Sequence, residues 1–233
     1  MKNCFALCFF FLMVPCFVWA QQSGEVDFVK PDYKKIKKEI KKKDSEFFYP
    51  SLMKRYREGD STMTLEERRH LYYGFRYQEN YNPYGGVEKL ILDSLYSKDS
   101  LTVAEIEEAR LLIDTLLDED PFNFDVLYAD LHVSELAGDK ERYEQARARI
   151  FMIFDAIFSS GDGLSKETAL YVLFISHEYE ALYVAGLEFG GSQSLLDMRY
   201  DYLEVAENPY GIEGIYFDIS PSLEKMEELF RGK

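Results

Sequence analysis

From Pro31 to Ile157 the apolar residues return every three or four positions, and from Ala169 to Ile219 they run together or alternate. The first pattern belongs to helices with one buried face, the second to strands. Pro31 stands where a first helical turn tolerates proline, and Ile36 and Ile40 give that helix an apolar stripe until about Lys43. Asp44-Ser45 can cap a second helix through Phe47, Leu52 and Tyr56, ended by Gly59, with Pro50 able to delay its start. Thr64 with Glu67 is a capping box for a third helix, through Leu71, Tyr72 and Phe75. Gln78 to Gly86 reads as a tyrosine-rich loop and Val87 to about Tyr96 as a fourth helix. A second capping box, Thr102 with Glu105, opens a fifth helix carrying Ile106, Ala109, Ile113 and Leu116. Asp120-Pro121 is expected to begin a sixth, with Leu127, Leu131 and Leu136 on one face. Gly138-Asp139 then turns the chain into a seventh, from about Lys140 to Ile157.

The sixth and seventh helices form an αα-hairpin that resembles a tetratricopeptide pair, through Ala129, Gly138, Tyr143 and Ala146. Its turn is longer than in that family and no 34-residue period recurs, so it is a helical hairpin and not a repeat array. After Ser159-Ser160-Gly161-Asp162-Gly163 the pattern changes. Ala169 to Ile175 suits a buried strand or a buried helical turn, His177 to Leu187 a short helix, and Gly190-Gly191 a loop. Tyr200 to Val205 and Gly214 to Ile219 alternate around Asn208-Pro209-Tyr210-Gly211 and predict a hairpin. Ser220-Pro221 caps a last helix with Leu223, Met226, Leu229 and Phe230. The fold class predicted is α+β: a mainly helical body, then a small antiparallel sheet and a final helix. Residues 31–233 are expected to form one domain, with a helical part over 31–159 and an α/β part over 164–233.

What precedes that domain is expected to be an address. Lys2 is a short positive region, Phe5 to Val14 is apolar throughout, and Val18 and Ala20 suit a signal peptidase cutting after Ala20. Residues 21–30 then form a flexible leader. An uncleaved anchor would need a longer apolar run, about 18–20 residues. A lipoprotein would acylate Cys16, with Pro15 badly placed before it. The cut would remove Cys4, Cys8, Cys16 and Trp19, leaving 213 residues with no thiol and no disulfide. Such a chain depends on its core alone, for which it is long enough.

Charge adds one asymmetry. The chain carries a formal −15, or −16 after the cut, yet Lys30 to Lys43 holds eight lysines against Asp32 and Glu39. That tract is a local +6 and leaves −22 elsewhere in the cut chain. Strong acidity argues against nucleic acid as a partner. Lys34, Lys35, Lys37, Lys38, Lys41, Lys42 and Lys43 can be a solvated helix face over Ile36 and Ile40, or a basic arm for anionic lipid or an acidic partner. They can also lie against the acidic body. No run after residue 20 is long and apolar enough for a membrane helix.

Candidate chemistry is sparse. Of three histidines, His70 follows Glu66 by four positions and His177 precedes Glu178, and these four are the candidate catalytic residues. His177-Glu178-Tyr179-Glu180-Ala181 is half of a zincin motif, but Ala181 stands where the second ligand belongs. His132 sits within the sixth helix as a face residue, and Asp162 between two glycines lacks an EF-hand's ligand series. No metal set and no cofactor motif is legible, and no nucleophile elbow or phosphate loop occurs. Tyr72, Tyr73, Tyr77, Tyr81 and Tyr84 cluster, as they would in a recognition surface or simply between packed helices.

One resemblance draws on several of these residues. Glu67-Arg68-Arg69-His70-Leu71-Tyr72-Tyr73-Gly74 after Gly59-Asp60-Ser61-Thr62, with His177-Glu178-Tyr179 and Gly211-Ile212-Glu213-Gly214-Ile215-Tyr216-Phe217-Asp218-Ile219, resembles the domain-of-unknown-function family numbered forty-nine-nineteen. The resemblance implies an exported protein of the cell envelope in Bacteroides-like bacteria and assigns no activity to any residue. The expectation is a non-catalytic envelope protein that binds a protein or a glycan. A hydrolase with a Glu/His site and a peripheral membrane protein held by its lysines are the alternatives.

Overall fold

The computed structural model describes residues 27–85, 98 and 100–231. The fourth helix expected over Val87 to Tyr96 and the signal sequence lie outside them. Eight α-helices and four strands are described, an α+β fold. The order is α1 (Tyr33–Glu39), α2 (Tyr49–Arg57), α3 (Leu65–Gly74), α4 (Val103–Glu119), α5 (Phe124–Leu136), α6 (Lys140–Phe158), β1 (Leu170–Tyr171), α7 (Ser176–Val184), β2 (Phe189–Leu196), β3 (Tyr200–Val205), β4 (Gly214–Asp218) and α8 (Ser220–Arg231).

Local chemistry explains the helix starts. The capping boxes at Thr64 and Thr102 are both formed, so each satisfies otherwise orphaned N–H groups reciprocally. α1 is shorter than expected and is capped by Asp32, which accepts from the N–H groups of Lys34 and Lys35. α5 starts at Phe124, later than Asp120-Pro121 implied, because Asn123 is the residue that accepts from Val126 N–H. Asp120 instead accepts from Phe122 N–H in the preceding turn. Gly59, at φ +67, follows α2 where an added Cβ would come within 2.6 Å of the Gln145 backbone, so the turn can pass this close to α6 only with a glycine.

α6 is the central helix, packed on α3, on α5 and on α2. Met152, Ile153, Phe154, Ala156 and Ile157 on α6 are all buried in the core. α5 and α6 form the expected antiparallel hairpin, pinned by a buried charge cluster: Asp130 accepts from Arg142 at 2.5 Å and from Arg149 at 2.5 Å. The leader is fastened earlier than expected. Val29 N–H donates to Ser159 C=O at 3.0 Å, and the Val29 carbonyl accepts from Arg69 at 2.5 Å.

The sheet differs from the purely antiparallel one expected. Its order is β1-β4-β3-β2, and the two-residue β1 runs parallel to β4, so it is mixed. The expected hairpin is β3-β4, with Leu203 opposite Ile215 and Asp201 opposite Phe217. Gly190-Gly191, read as a loop, lies inside edge strand β2, where the register with β3 shifts between Phe189 and Gln193. Flexible glycines absorb that irregularity. Asp201, Leu203, Ile215 and Phe217 face the helical body, and all four are buried. Tyrosine hydroxyls tie the two parts together: Tyr72 accepts from Leu173 N–H at 3.0 Å and Tyr81 donates to Leu173 C=O at 2.8 Å.

Candidate functional site

His70 and Tyr72 are two positions apart on α3 and therefore project to different sides of it. His70 turns toward α1. Its Nδ1 meets the Glu66 carbonyl at 2.8 Å and its Nε2 the Glu39 carboxylate at 2.8 Å, while its ring stacks on Phe47 at 3.8 Å. It is buried and works as a buckle between α1 and α3. Glu66 offers His70 its backbone, and its carboxylate lies 3.3 Å from Arg69.

His177 belongs to a different environment. Its Nε2–H donates to Phe122 C=O at 3.0 Å, which makes Nδ1 the acceptor for the Tyr72 hydroxyl at 2.8 Å. The Tyr72 oxygen in turn accepts from Leu173 N–H at 3.0 Å. Rings of Phe124 and Phe174 each lie 4.8 Å from the imidazole. Burial pushes the His177 pKa down to about 3, against the opposing pull of the Phe122 hydrogen bond. Both nitrogens are committed and the ring is neutral, so His177 is a packing and hydrogen-bonding element. The two histidines are not brought to one site.

The tyrosine cluster is mostly internal. Tyr72, Tyr73 and Tyr81 are buried with their hydroxyls bonded inside the fold. Tyr77 is half-buried and donates to Tyr33 C=O, and Tyr84, the exposed member, donates to Ser222 C=O at 2.7 Å. Burial pushes the pKa of Tyr72 well up, as it does for Tyr73. Asp162, in its loop, accepts from Leu164 N–H and Thr168 Oγ1 and so sets the turn.

Glu178, the fourth candidate, is the exception. It points from the first turn of α7 toward the β2-β3 hairpin and is fully buried. Its Oε2 lies 3.4 Å from Gln193 Nε2, which also donates to Asp201 Oδ2 at 2.5 Å, while its Oε1 has no partner among the described residues. Burial first, then the neighbouring Asp201, raises the Glu178 pKa to about 9. Burial also raises that of Asp201, opposed by its bond from Gln193. Glu178 is therefore a neutral acid at pH 7, held beside a second carboxyl group.

Above this pair lies an apolar surface. Tyr179 donates to Gln193 Oε1 at 2.7 Å, and its ring meets Phe189 edge-on at 5.4 Å. Tyr183 follows one helical turn later and is 69% exposed. Leu195, also exposed, shares the Gln193 face of β2. The chain then turns through Asp197 and Met198 at φ 53 and 50, closed by Arg199 N–H to Leu196 C=O at 3.0 Å. Left-handed backbone at both central residues matches the twist of a tight hairpin, but Asp-Met has no glycine to adopt it without strain. Met198 is 77% exposed at its tip. Nothing in the sequence marks Gln193, Leu195 or Met198, and Asp201 reads only as part of the strand over Tyr200 to Val205. The uninterrupted Ser192 to Leu196 between Gly191 and Asp197 was the available sign of a strand there.

Every lysine of the basic tract is exposed. Two surface hollows, one lined by Tyr49, Pro50, Met53, Lys54, Arg57 and Glu58 and one between Arg68 and the outer face of α6, contain none of the four candidate catalytic residues. Among the described residues no group of three or more His, Cys, Asp or Glu side chains is arranged to hold a metal ion. No described helix is long and apolar enough to cross a membrane.

Fold and site together define an α+β domain whose distinctive surface is an exposed sheet edge over a buried acid pair. The chain belongs to the family described as domain of unknown function (DUF4919), whose model matches residues 34–228. No curated protein and no solved structure matches the chain.

Proposed function

We propose that this is an exported, non-catalytic protein of the cell envelope that works by recognition, and that the α7–β2 side is its contact surface. The observation that carries the reading is the edge of β2, unpaired among the described residues, with Phe189, Leu195 and Met198 exposed beside Tyr179 and Tyr183. Such an edge offers main-chain groups to an added strand, and the aromatic side chains offer apolar pockets for it. The occupant is an extended segment of a partner protein. Glu188 and Glu180, the latter bonded by Tyr128, lie beside the surface, while Asp197 is paired with Lys166; this net negative border suits a segment that alternates apolar with basic residues. The export signal read at the N-terminus supports the envelope setting.

Selection of displayed peptides on the immobilised protein tests this. The recovered peptides should alternate apolar with lysine or arginine, and should lose at least tenfold in affinity with Leu195→Asp and with Tyr179→Ala. Peptides of any other pattern, or binding indifferent to both substitutions, would sink the proposal. Binding of oligosaccharides in place of peptides would favour the glycan partner.

A hydrolase reading retains one observation, the neutral Glu178 beside Asp201. Two adjacent carboxyl groups with different surroundings are the parts of acid/base hydrolysis. Release of product from a glycoside or ester panel, abolished by Glu178→Gln and by Asp201→Asn in folded protein, would establish it.

A further inference from the structure

Lys30, Lys34, Lys35, Lys37, Lys38, Lys41, Lys42 and Lys43 are all exposed, and none has an ion-pair partner among the described residues. The two acids inside the tract are already engaged. Asp32 caps α1, and Glu39 binds His70. Among the described residues no acid of the body forms an ion pair with these lysines.

The support beneath it is firm. Ile36 and Ile40 are buried against the body, and α1 packs on α3. Lys34 and Lys38 lie one helical turn apart, on the side of α1 opposite those isoleucines. Lys37 alone turns back, its Nζ 5.1 Å from the Tyr77 ring centre. Lys41, Lys42 and Lys43 continue the ridge past the end of α1, and Lys30 precedes it beside Val29, which is 51% exposed. The result is a ridge of exposed cations on a helix packed against the body.

We propose that this ridge docks the protein onto an anionic lipid surface. Three observations favour lipid over an acidic protein. The tract contains lysine and no arginine. Lysine acts as a point charge suited to a diffuse layer of phosphates, whereas specific pairing with carboxylates favours the fork of arginine. Lys34, Lys38 and Lys41 recur at four and three positions on the side away from buried Ile36 and Ile40, so a flat surface can reach these three together. Finally, residues 44–233 carry a net −20. An anionic bilayer repels that body and attracts only the ridge, which fixes the orientation of the molecule.

The test is vesicle co-sedimentation of the full chain with phosphatidylcholine alone and with phosphatidylcholine containing one third phosphatidylglycerol. The readout is the difference between the two, because apolar contributions are common to both. A lysine at the surface contributes about fivefold in partitioning. The triple substitution Lys34→Gln, Lys38→Gln, Lys41→Gln should therefore reduce binding to the anionic vesicles by about a hundredfold. Half-molar salt should remove most of the difference in the unaltered protein. The same three changes at Lys98, Lys166 and Lys225, which sit in ion pairs elsewhere, should leave binding unchanged. Equal binding to both vesicles, or full binding by the ridge variant, overturns the proposal. So does tight binding to soluble polyglutamate with none to vesicles, which would make the occupant an acidic protein.

Discussion

Replacing Glu178 by glutamine should change how stability depends on pH more than it changes stability at any one pH. In the fold the Glu178 pKa is raised to about 9 from an ordinary 4.5, first by burial and then by Asp201. Below about pH 4.5 the carboxyl group is protonated whether the chain is folded or not, and it adds no pH dependence. Between 4.5 and 9 the unfolded chain releases the proton while the fold keeps it, so stability falls as pH rises. One retained proton corresponds to about 1.4 kcal/mol per pH unit. Glutamine does not titrate, so its advantage over Glu178 should grow by roughly 3–4 kcal/mol between pH 5 and 8, reduced to the extent that solvent reaches the site. The buried amide that replaces the carboxyl group also needs partners. A mismatch would cost about 1–3 kcal/mol, but as a constant offset that leaves the slope untouched. Urea unfolding of both proteins at pH 5, 6, 7 and 8, followed by circular dichroism, measures it. Parallel stability curves would refute the neutral, buried acid and with it the acid-pair description of the site.

Three further outcomes are expected. Asp130→Ala leaves Arg142 and Arg149 facing each other without their carboxylate, and should lose about 3–5 kcal/mol, seen as a large drop in melting temperature. Tyr72→Phe removes the donor to His177 and the acceptor for Leu173 N–H, and should cost roughly 2–4 kcal/mol in denaturant unfolding. Met198→Gly relieves a left-handed backbone and should gain about 1 kcal/mol of stability, while peptide binding at the β2 edge weakens.

The features legible in the sequence were the ones with local causes. Thr64 and Thr102 declared their helices because a capping box involves residues only three apart. Ile36 and Ile40 declared the buried side of α1 by their spacing. Asp120-Pro121 misled by two to three residues because two polar side chains competed for one helix start. Asp120 closed the turn instead, and its burial there raises its pKa to about 6. β2 left only a faint sign for a different reason. An edge strand exposed on both faces has no alternation to display, and its pairing with β3 depends on residues elsewhere in the chain. The site shared that fate. Glu178 could be picked out beside His177, but the residues that define its chemistry, Gln193 and Asp201, reach it only through the β2-β3 hairpin. His70 and His177 looked like a pair on paper, and helix geometry sends them to separate packing roles.

Tension applied at the N-terminal end would reach Arg69 before it reached α1. Val29 is held at both its N–H and its carbonyl, by Ser159 and by Arg69, and Arg69 also binds the Ser159 hydroxyl. The load would pass into α3 and the end of α6, and the lysine ridge behind Val29 would stay slack. A pull along the chain would shear these bonds together and not peel α1 from the body turn by turn. The segment that begins as a leader thus ends as a mechanical stop, and it keeps the ridge in place whatever is attached ahead of it.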